Sequence, residues 1–169
     1  MKTRCRSLAI VLCLLSGFSV AQQVNVDWQR GTDFSKYKTY AWGAEQHPIP
    51  DALWNQRIIG MIDAQLAAKG LQKVSSDANP DVQVVYNAGI KQNVSWQGYR
   101  TGVFMASGSI QQVVERDGTL VVDVADPNQK MVIWRGVAGD TLSDKSEKNI
   151  NKVQKMVTKM FQKFPPPGK

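Results

Sequence analysis

The residues that most often carry chemistry are scarce in this chain. His47 is the single histidine among 169 residues, and it sits in "EQHPIP". Both cysteines, Cys5 and Cys13, fall near the start. A zinc site draws several ligands from histidine, cysteine and carboxylate, and a nucleophilic triad needs a histidine beside its serine or cysteine. No "GxSxG" elbow accompanies His47, which reads as a surface-loop residue. "GYRTG" and "GDTLSDK" lack the spacing and the lysine of a phosphate loop. No metal and no cofactor is expected. Carboxylates remain as candidates: Glu115, Asp117 and Asp123 could pair as the acid and base of glycoside hydrolysis. Asp117 is better explained by a turn. Glu115 falls on an otherwise apolar face, and an inward carboxylate at a strand end usually meets solvent or an arginine. No residue is assigned a catalytic role, and Glu115→Gln is expected to leave fold and binding intact.

Two other stretches offer binding chemistry. "VSWQGYRTGVFMASGS" (94–109) sets Trp96, Tyr99 and Phe104 among glycines, with Arg100 as a donor for carboxylate or phosphate. One reading is a crossover whose rings tuck against the domain edge while the glycines turn the chain. The other is an exposed platform for a glycan, an apolar ligand or a partner protein, with Trp96, Tyr99, Arg100 and Phe104 as contacts. Near the C-terminus, Lys145, Lys148, Lys152, Lys155, Lys159 and Lys163 share one helical stripe. It reads either as the solvated face of an amphipathic helix or as a cationic strip for anionic lipid.

These groups must be held by elements that the pattern makes visible. "VNVDW" (24–28) alternates as a half-buried strand does, and a β-prone run ends at Trp42. Asp51 caps a helix running to about Lys69, with Gly70 as its stop and Trp54, Ile58, Ile62 and Leu66 as its buried face. "DVQVVYNAGI" (81–90) puts Val82, Val84, Tyr86, Ala88 and Ile90 on one side. Asp117-Gly118 between β-rich runs signals a two-residue hairpin that would set Val113 opposite Val122. Asp126-Pro127-Asn128-Gln129 makes a second turn. "KMVIWRGV" is apolar on both faces, as a central strand is. Ser143 caps a closing helix to about Phe164, with Ile150, Val153, Val157, Met160 and Phe164 inward. The order ββαβββ(β)α describes an α+β domain: a mainly antiparallel sheet with two helices packed on one face.

The first residues are an address rather than part of the fold. Lys2, Arg4 and Arg6 precede a short apolar run, and Ser19-Val20-Ala21 suits a signal peptidase. Residues 1–21 are expected to be cleaved, leaving 22–169 as one domain that is periplasmic or secreted. Leu12 before Cys13 does not suit lipid attachment. Cleavage removes both cysteines and lowers the formal charge from +7 to +4. That mild excess does not mark a nucleic-acid binder.

The motifs together resemble the bacterial domain-of-unknown-function family 4136 (DUF4136), whose members are exported and mostly lipoprotein-like. "DFSKYKTYAW" (33–42) is similar to its opening motif, and "LWNQRIIGMIDAQLAAKGLQKV" (53–74) to its first helix, ending in a lysine-glycine stop before a short strand. "NPDVQVVYNAG" (79–89) resembles the strand after that, and "FPPP" (164–167) the common ending. The likeness runs from about Val24 to Pro167. The chain departs from the family in lacking a well-placed lipidation cysteine and in shortening the tyrosine- and glycine-rich stretch at 94–109. The resemblance implies a cell-envelope location and a fold, and no reaction. The expected function is a non-enzymatic binding or structural-support module acting on an envelope protein or a glycan or lipid ligand. The alternatives are a small carboxylate-dependent hydrolase and a peripheral binder of the outer-membrane surface.

Overall fold

The computed structural model describes residues 23–43, 49–100 and 108–166, and only the backbone of 97–100 and 108–111. The leader read at 1–21, His47, Phe104 and Pro167 lie outside the described residues.

Six strands form one sheet in the order β1-β6-β5-β4-β2-β3. They are β1 (Gln23–Trp28), β2 (Thr39–Trp42), β3 (Gln72–Lys73), β4 (Val82–Arg100), β5 (Gly108–Asp126) and β6 (Met131–Leu142). Helices α1 (Ala52–Ala68) and α2 (Ser146–Phe161) complete an α+β domain. Pairing from β1 through β6 and β5 to β4 is antiparallel. The sheet is nonetheless mixed, because β2 runs parallel to both β3 and β4. Helix α1 is the crossover that such a parallel connection requires.

Helix α1 starts where expected. The Asp51 carboxylate accepts from the Leu53 and Trp54 amides, which would otherwise lack partners. It stops at Gly70, whose φ of 86° suits a residue without a Cβ. There the Leu71 and Gly70 amides donate to the Leu66 and Ala67 carbonyls, closing a Schellman motif. Ile58, Ile62 and Leu66 are its buried stripe, and Trp54 is half-buried.

Helix α2 begins later than the sequence suggests. Lys145 occupies the cap position without a side-chain capping bond. Ser143 instead closes a loop with Asn149: its amide donates to Asn149 Oδ1 and its carbonyl accepts from Asn149 Nδ2, both at 2.7 Å. Val153, Met156, Val157, Met160 and Phe161 are buried, and the helix packs on β6, β1 and α1. Phe164 is buried beyond the helix end, in a ring cluster with Trp134, Phe161 and Phe34.

The expectation of a turn in β5 is corrected, while β6 is the interior strand expected, lying between β1 and β5. Asp117-Gly118 is no turn. Both residues lie inside β5, where Gly118 pairs with Ile90 on one side and Asp140 on the other. The alternation simply runs through them, so Leu120, Val122 and Val124 face the helices, while Glu115 falls on the opposite, solvent-facing side. The glycine serves a close approach instead: a Cβ there would meet Leu142 Cδ2 at 3.0 Å. The double-sided apolar character of β6 also has another cause. Its register to β5 skips Ile133 between the pairs Val124↔Trp134 and Ala125↔Val132. This bulge lets the adjacent Ile133 and Trp134 both be buried. The expected element order matches because splitting β5 in two offset the omission of the two-residue β3.

Candidate functional site: a projecting β arm

β4 and β5 are the longest elements, at 19 residues each. At about 3.3 Å per residue each spans roughly 60 Å, whereas the 17 residues of α1 span about 25 Å. The helices cannot cover the whole hairpin. Neither can the neighbouring strands. Pairing of β6 to β5 ends at Arg116↔Leu142, and pairing of β2 to β4 ends at Trp42↔Val84. Beyond those points β4 and β5 continue as a two-stranded arm, in register to Arg100↔Gly108. Both outer edges of the arm are unpaired among the described residues.

The stretch read as a loop is therefore largely strand. Along β4, Val82, Val84 and Tyr86 point into the core with essentially no exposure. The same side of the same strand continues through Ala88, Ile90, Gln92, Val94 and Trp96. Its partners on β5 are Leu120, Gly118, Arg116, Val114 and Gln112. Past the helices this face opens to solvent: Ile90 is 62% exposed, Val94 54%, Trp96 68% and Val114 52%. An apolar stripe thus passes from the core to the outside along one ribbon, interrupted once by the cross-strand pair Gln92 and Arg116. On the opposite side a polar cluster holds the base of the arm. Asp117 accepts from Asn93 Nδ2 at 2.7 Å and from Thr141 Oγ1 at 2.9 Å, tying three strands together.

Of the residues singled out from the sequence, Trp96 sits on this stripe. Tyr99 and Arg100 belong to the arm by backbone pairing with Ser109 and Gly108, but their side chains, like Phe104, are outside the described residues. Pattern reading missed Val94 and Val114, and it grouped Ile90 on one side with Val82, Val84, Tyr86 and Ala88 without marking where that side leaves the core. The signal that could have found them is the length of the alternation. With a single polar break at Gln92 it runs from Val82 to Trp96, further than one covering helix reaches.

The carboxylates named as catalytic candidates do not converge on a cleft. Asp123 is gripped by Arg135, whose Nε and Nη2 donate at 2.6 and 2.7 Å. This contact raises the Arg135 pKa above its ordinary value. Asp117 is engaged as described, and Glu115 is exposed. Among the described residues no cluster of three or more histidine, cysteine or acidic side chains is placed to hold a metal.

The lysine stripe is less uniform than its spacing. Lys145, Lys148, Lys155, Lys159 and Lys163 are exposed. Lys152 is half-buried and reaches back to the sheet, donating to Asp140 at 3.0 Å and to the Thr141 carbonyl. No helix among the described residues is long and apolar enough to cross a membrane.

Several solved structures share this fold. A PDZ domain protein from Parabacteroides distasonis is 17% identical with a TM-score of 0.58; the match covers 86% of this chain, which spans only 36% of that protein. A DUF4136 family protein from Bacteroides thetaiotaomicron is 12% identical over 85% of this chain and 96% of its own, with a TM-score of 0.52. The PelC dodecamer from Paraburkholderia phytofirmans is 16% identical over 82% of this chain and 94% of its own, at 0.50. No curated protein matches the sequence. The profile of the domain of unknown function DUF4136 matches residues 24–166, nearly the whole span over which the motifs suggested it. The chain belongs to the DUF4136 family.

Proposed function

We propose that this protein is a non-catalytic binding module of the cell envelope that engages another protein chain through the β4–β5 arm. The observation carrying this reading is the apolar stripe of Ile90, Val94, Trp96 and Val114, uncovered among the described residues on a ribbon whose two edges are likewise unpaired among them. Exposed contiguous apolar surface on a secreted domain marks an interaction site or an aggregation hazard. Unpaired edges add backbone donors and acceptors for a partner strand. The leader motif at 1–21 supports export and a periplasmic or secreted location. The engagement of Asp117 and Asp123 in structural bonds supports a role without hydrolysis. The PelC dodecamer gives a precedent for a protein of this fold assembling with its own copies, so a second copy is the first partner to test.

The test places a photo-crosslinking residue at position 96 in intact cells, with a control at Gln162. A recurring adduct from 96 and none from 162 is expected. The purified protein is also expected to self-associate with rising concentration, and Val94→Ser with Trp96→Ser to abolish that. No adduct from 96, together with concentration-independent behaviour of the unmodified protein, overturns the reading.

A second reading rests on the exposed Lys148, Lys155 and Lys159 of α2, with Lys145 and Lys163 flanking it. They form a cationic strip suited to an anionic lipid surface, at about 1 kcal/mol per lysine near such a surface. Salt-sensitive binding to phosphatidylglycerol vesicles, lost on replacing Lys155 and Lys159 by Gln, is its test.

A further inference from the structure

A cavity of about 340 Å3 lies at the base of the arm, where the first turns of α1 and α2 meet the helix-facing side of the sheet. Its walls are apolar. Trp54 and Ile58 come from α1, Val153 and Met156 from α2, and Leu120 and Leu142 from β5 and β6. Ile90 belongs both to the cavity wall and to the exposed stripe, so the cavity opens onto the apolar face of the arm. Among the described residues one charged side chain lines it, Arg116, placed where β6 stops pairing with β5.

The state of Arg116 suggests what the cavity holds. Its side chain is 39% exposed, and its ion-pair partner Asp144 is 97% exposed. A pair held by so solvated an aspartate contributes little and exchanges readily. The guanidinium can turn its planar pair of donors to another carboxylate at small cost, and carboxylates are what that geometry matches. The volume lies at the lower end of the range for small-ligand cavities. A narrow apolar chamber with one guanidinium at its rim and an apolar track leading away fits a molecule that is a chain at one end and a carboxylate at the other.

We propose that this cavity binds a fatty acid, with the acyl chain between the two helices and the sheet and the carboxylate on Arg116. The site shares Ile90 with the stripe of the arm but does not include Trp96. Trp96→Ala leaves it unchanged, so the two ideas fail independently.

The experiment is calorimetric titration of the purified protein with decanoate and dodecanoate below their micellar concentrations, and with 1-decanol as the uncharged analogue. One saturable site is expected. Each methylene removed from the chain weakens binding about four-fold, following the transfer free energy of a CH2 group. Decanoate binds about ten-fold more tightly than decanol, as a partly exposed charge-assisted contact allows. Arg116→Gln erases that preference without weakening decanol. Ala88→Phe, which drives a ring into the chamber, removes both ligands while circular dichroism shows the fold retained; if that variant does not fold, the decanoate-to-decanol ratio in Arg116→Gln decides alone. The absence of a saturable site overturns the proposal. So does a ten-fold preference that survives Arg116→Gln, or binding that a folded Ala88→Phe leaves intact.

Discussion

The two ends of the sheet are made from similar sequence and meet opposite fates. At one end Trp134 is fully buried, packed against Phe161 and Phe164 at ring distances of 5.3 Å. At the other, Trp96 stands 68% exposed on the arm. Both lie on strands of the same sheet, Trp134 beside the bulge in β6, and both face the helix side. What differs is the second layer. Helix α2 and the C-terminal turn lie over Trp134, whereas nothing among the described residues lies over Trp96. Strand pattern decides which side a residue faces; the extent of the covering layer decides whether that side is core.

The ends also differ in how polar groups are used. Away from the arm, carboxylates act as latches between elements. Asp126 is almost wholly buried and accepts from Tyr37 Oη at 2.8 Å, Gln129 Nε2 at 2.6 Å and the amides of Asn128 and Gln129. Burial pushes its pKa up. The hydrogen bonds from Tyr37 and Gln129 outweigh that and hold it below the ordinary carboxylate value. Asp81 is held low by the Lys38 and Thr39 amides, which donate at 2.8 Å each and pin β2 beside β4. Asp63 on α1 gathers Tyr40, Trp42 and Lys73. Burial, and then the Asp63 hydrogen bond, push the Tyr40 hydroxyl well above its ordinary pKa. The arm end has one comparable knot, at Asp117, and its apolar face is left to solvent or a partner.

The largest effect that could break this contrast is at Trp134. Trp134→Ala should cost about 3–5 kcal/mol, the range for a fully buried large aromatic. For a domain of this size that lowers the melting temperature by roughly 10–15 °C. A shift of only one or two degrees in a thermal melt would mean that the covered end is loosely packed and the contrast is not one of burial.

A smaller loss is expected at the latch. Asp126→Asn keeps the shape but turns a donor toward the Tyr37 hydroxyl or the Gln129 amide, costing about 1–3 kcal/mol. The pH dependence follows from the sign of the shifts. Asp126 and Asp81 titrate lower folded than unfolded, so their stabilisation is full above the unfolded value near 3.9 and is lost as pH falls through the folded values. Melting temperature should therefore change little from pH 7 to 5 and fall below about pH 4. The fall should be shallower in Asp126→Asn. Equal acid slopes for the two proteins would remove Asp126 from the account.

Much of this was legible in the sequence, and the exceptions share a cause. The α1 boundaries followed from Asp51 and Gly70, because caps are local devices. Helical spacing found Val153, Val157 and Met160 of the α2 core stripe but not Met156 and Phe161, and it carried the helix on to Phe164, which is buried beyond its end. Asp117-Gly118 misled because turn propensity is weak evidence against an alternation continuing on both sides of it. Val114, Arg116, Gly118 and Leu120 keep period two across the supposed turn. The reading of Glu115 as inward was a consequence of that one-residue phase error, which moves every side chain to the other face. Ser143 resembled a cap, but its hydroxyl accepts from the Lys145 amide in the loop before the helix while its backbone pairs with the Asn149 side chain. Of the candidate site, the residue type was visible at Trp96, while exposure was not, since it depends on where two helices happen to end.

The smallest expected change in stability, and the sharpest test of the contrast, is at Trp96. An exposed ring on a ribbon with no second layer loses little when truncated, so Trp96→Ala should shift stability by no more than about 0.5 kcal/mol. Its twin substitution at Trp134 removes the same side chain from the same kind of strand, yet differs by a factor of six or more. The binding readout should invert. Trp134→Ala, assayed at a temperature where it stays folded, should retain the photo-adduct at position 96 and the concentration-dependent association, because the arm does not pass through that end of the core. Trp96→Ala should lose association while melting normally, since a large aromatic at the centre of an interface carries a disproportionate share of its energy. A substantial drop in melting temperature for Trp96→Ala would show that the ring is packed within the monomer, and the arm would then be a structural flap with no claim on a partner.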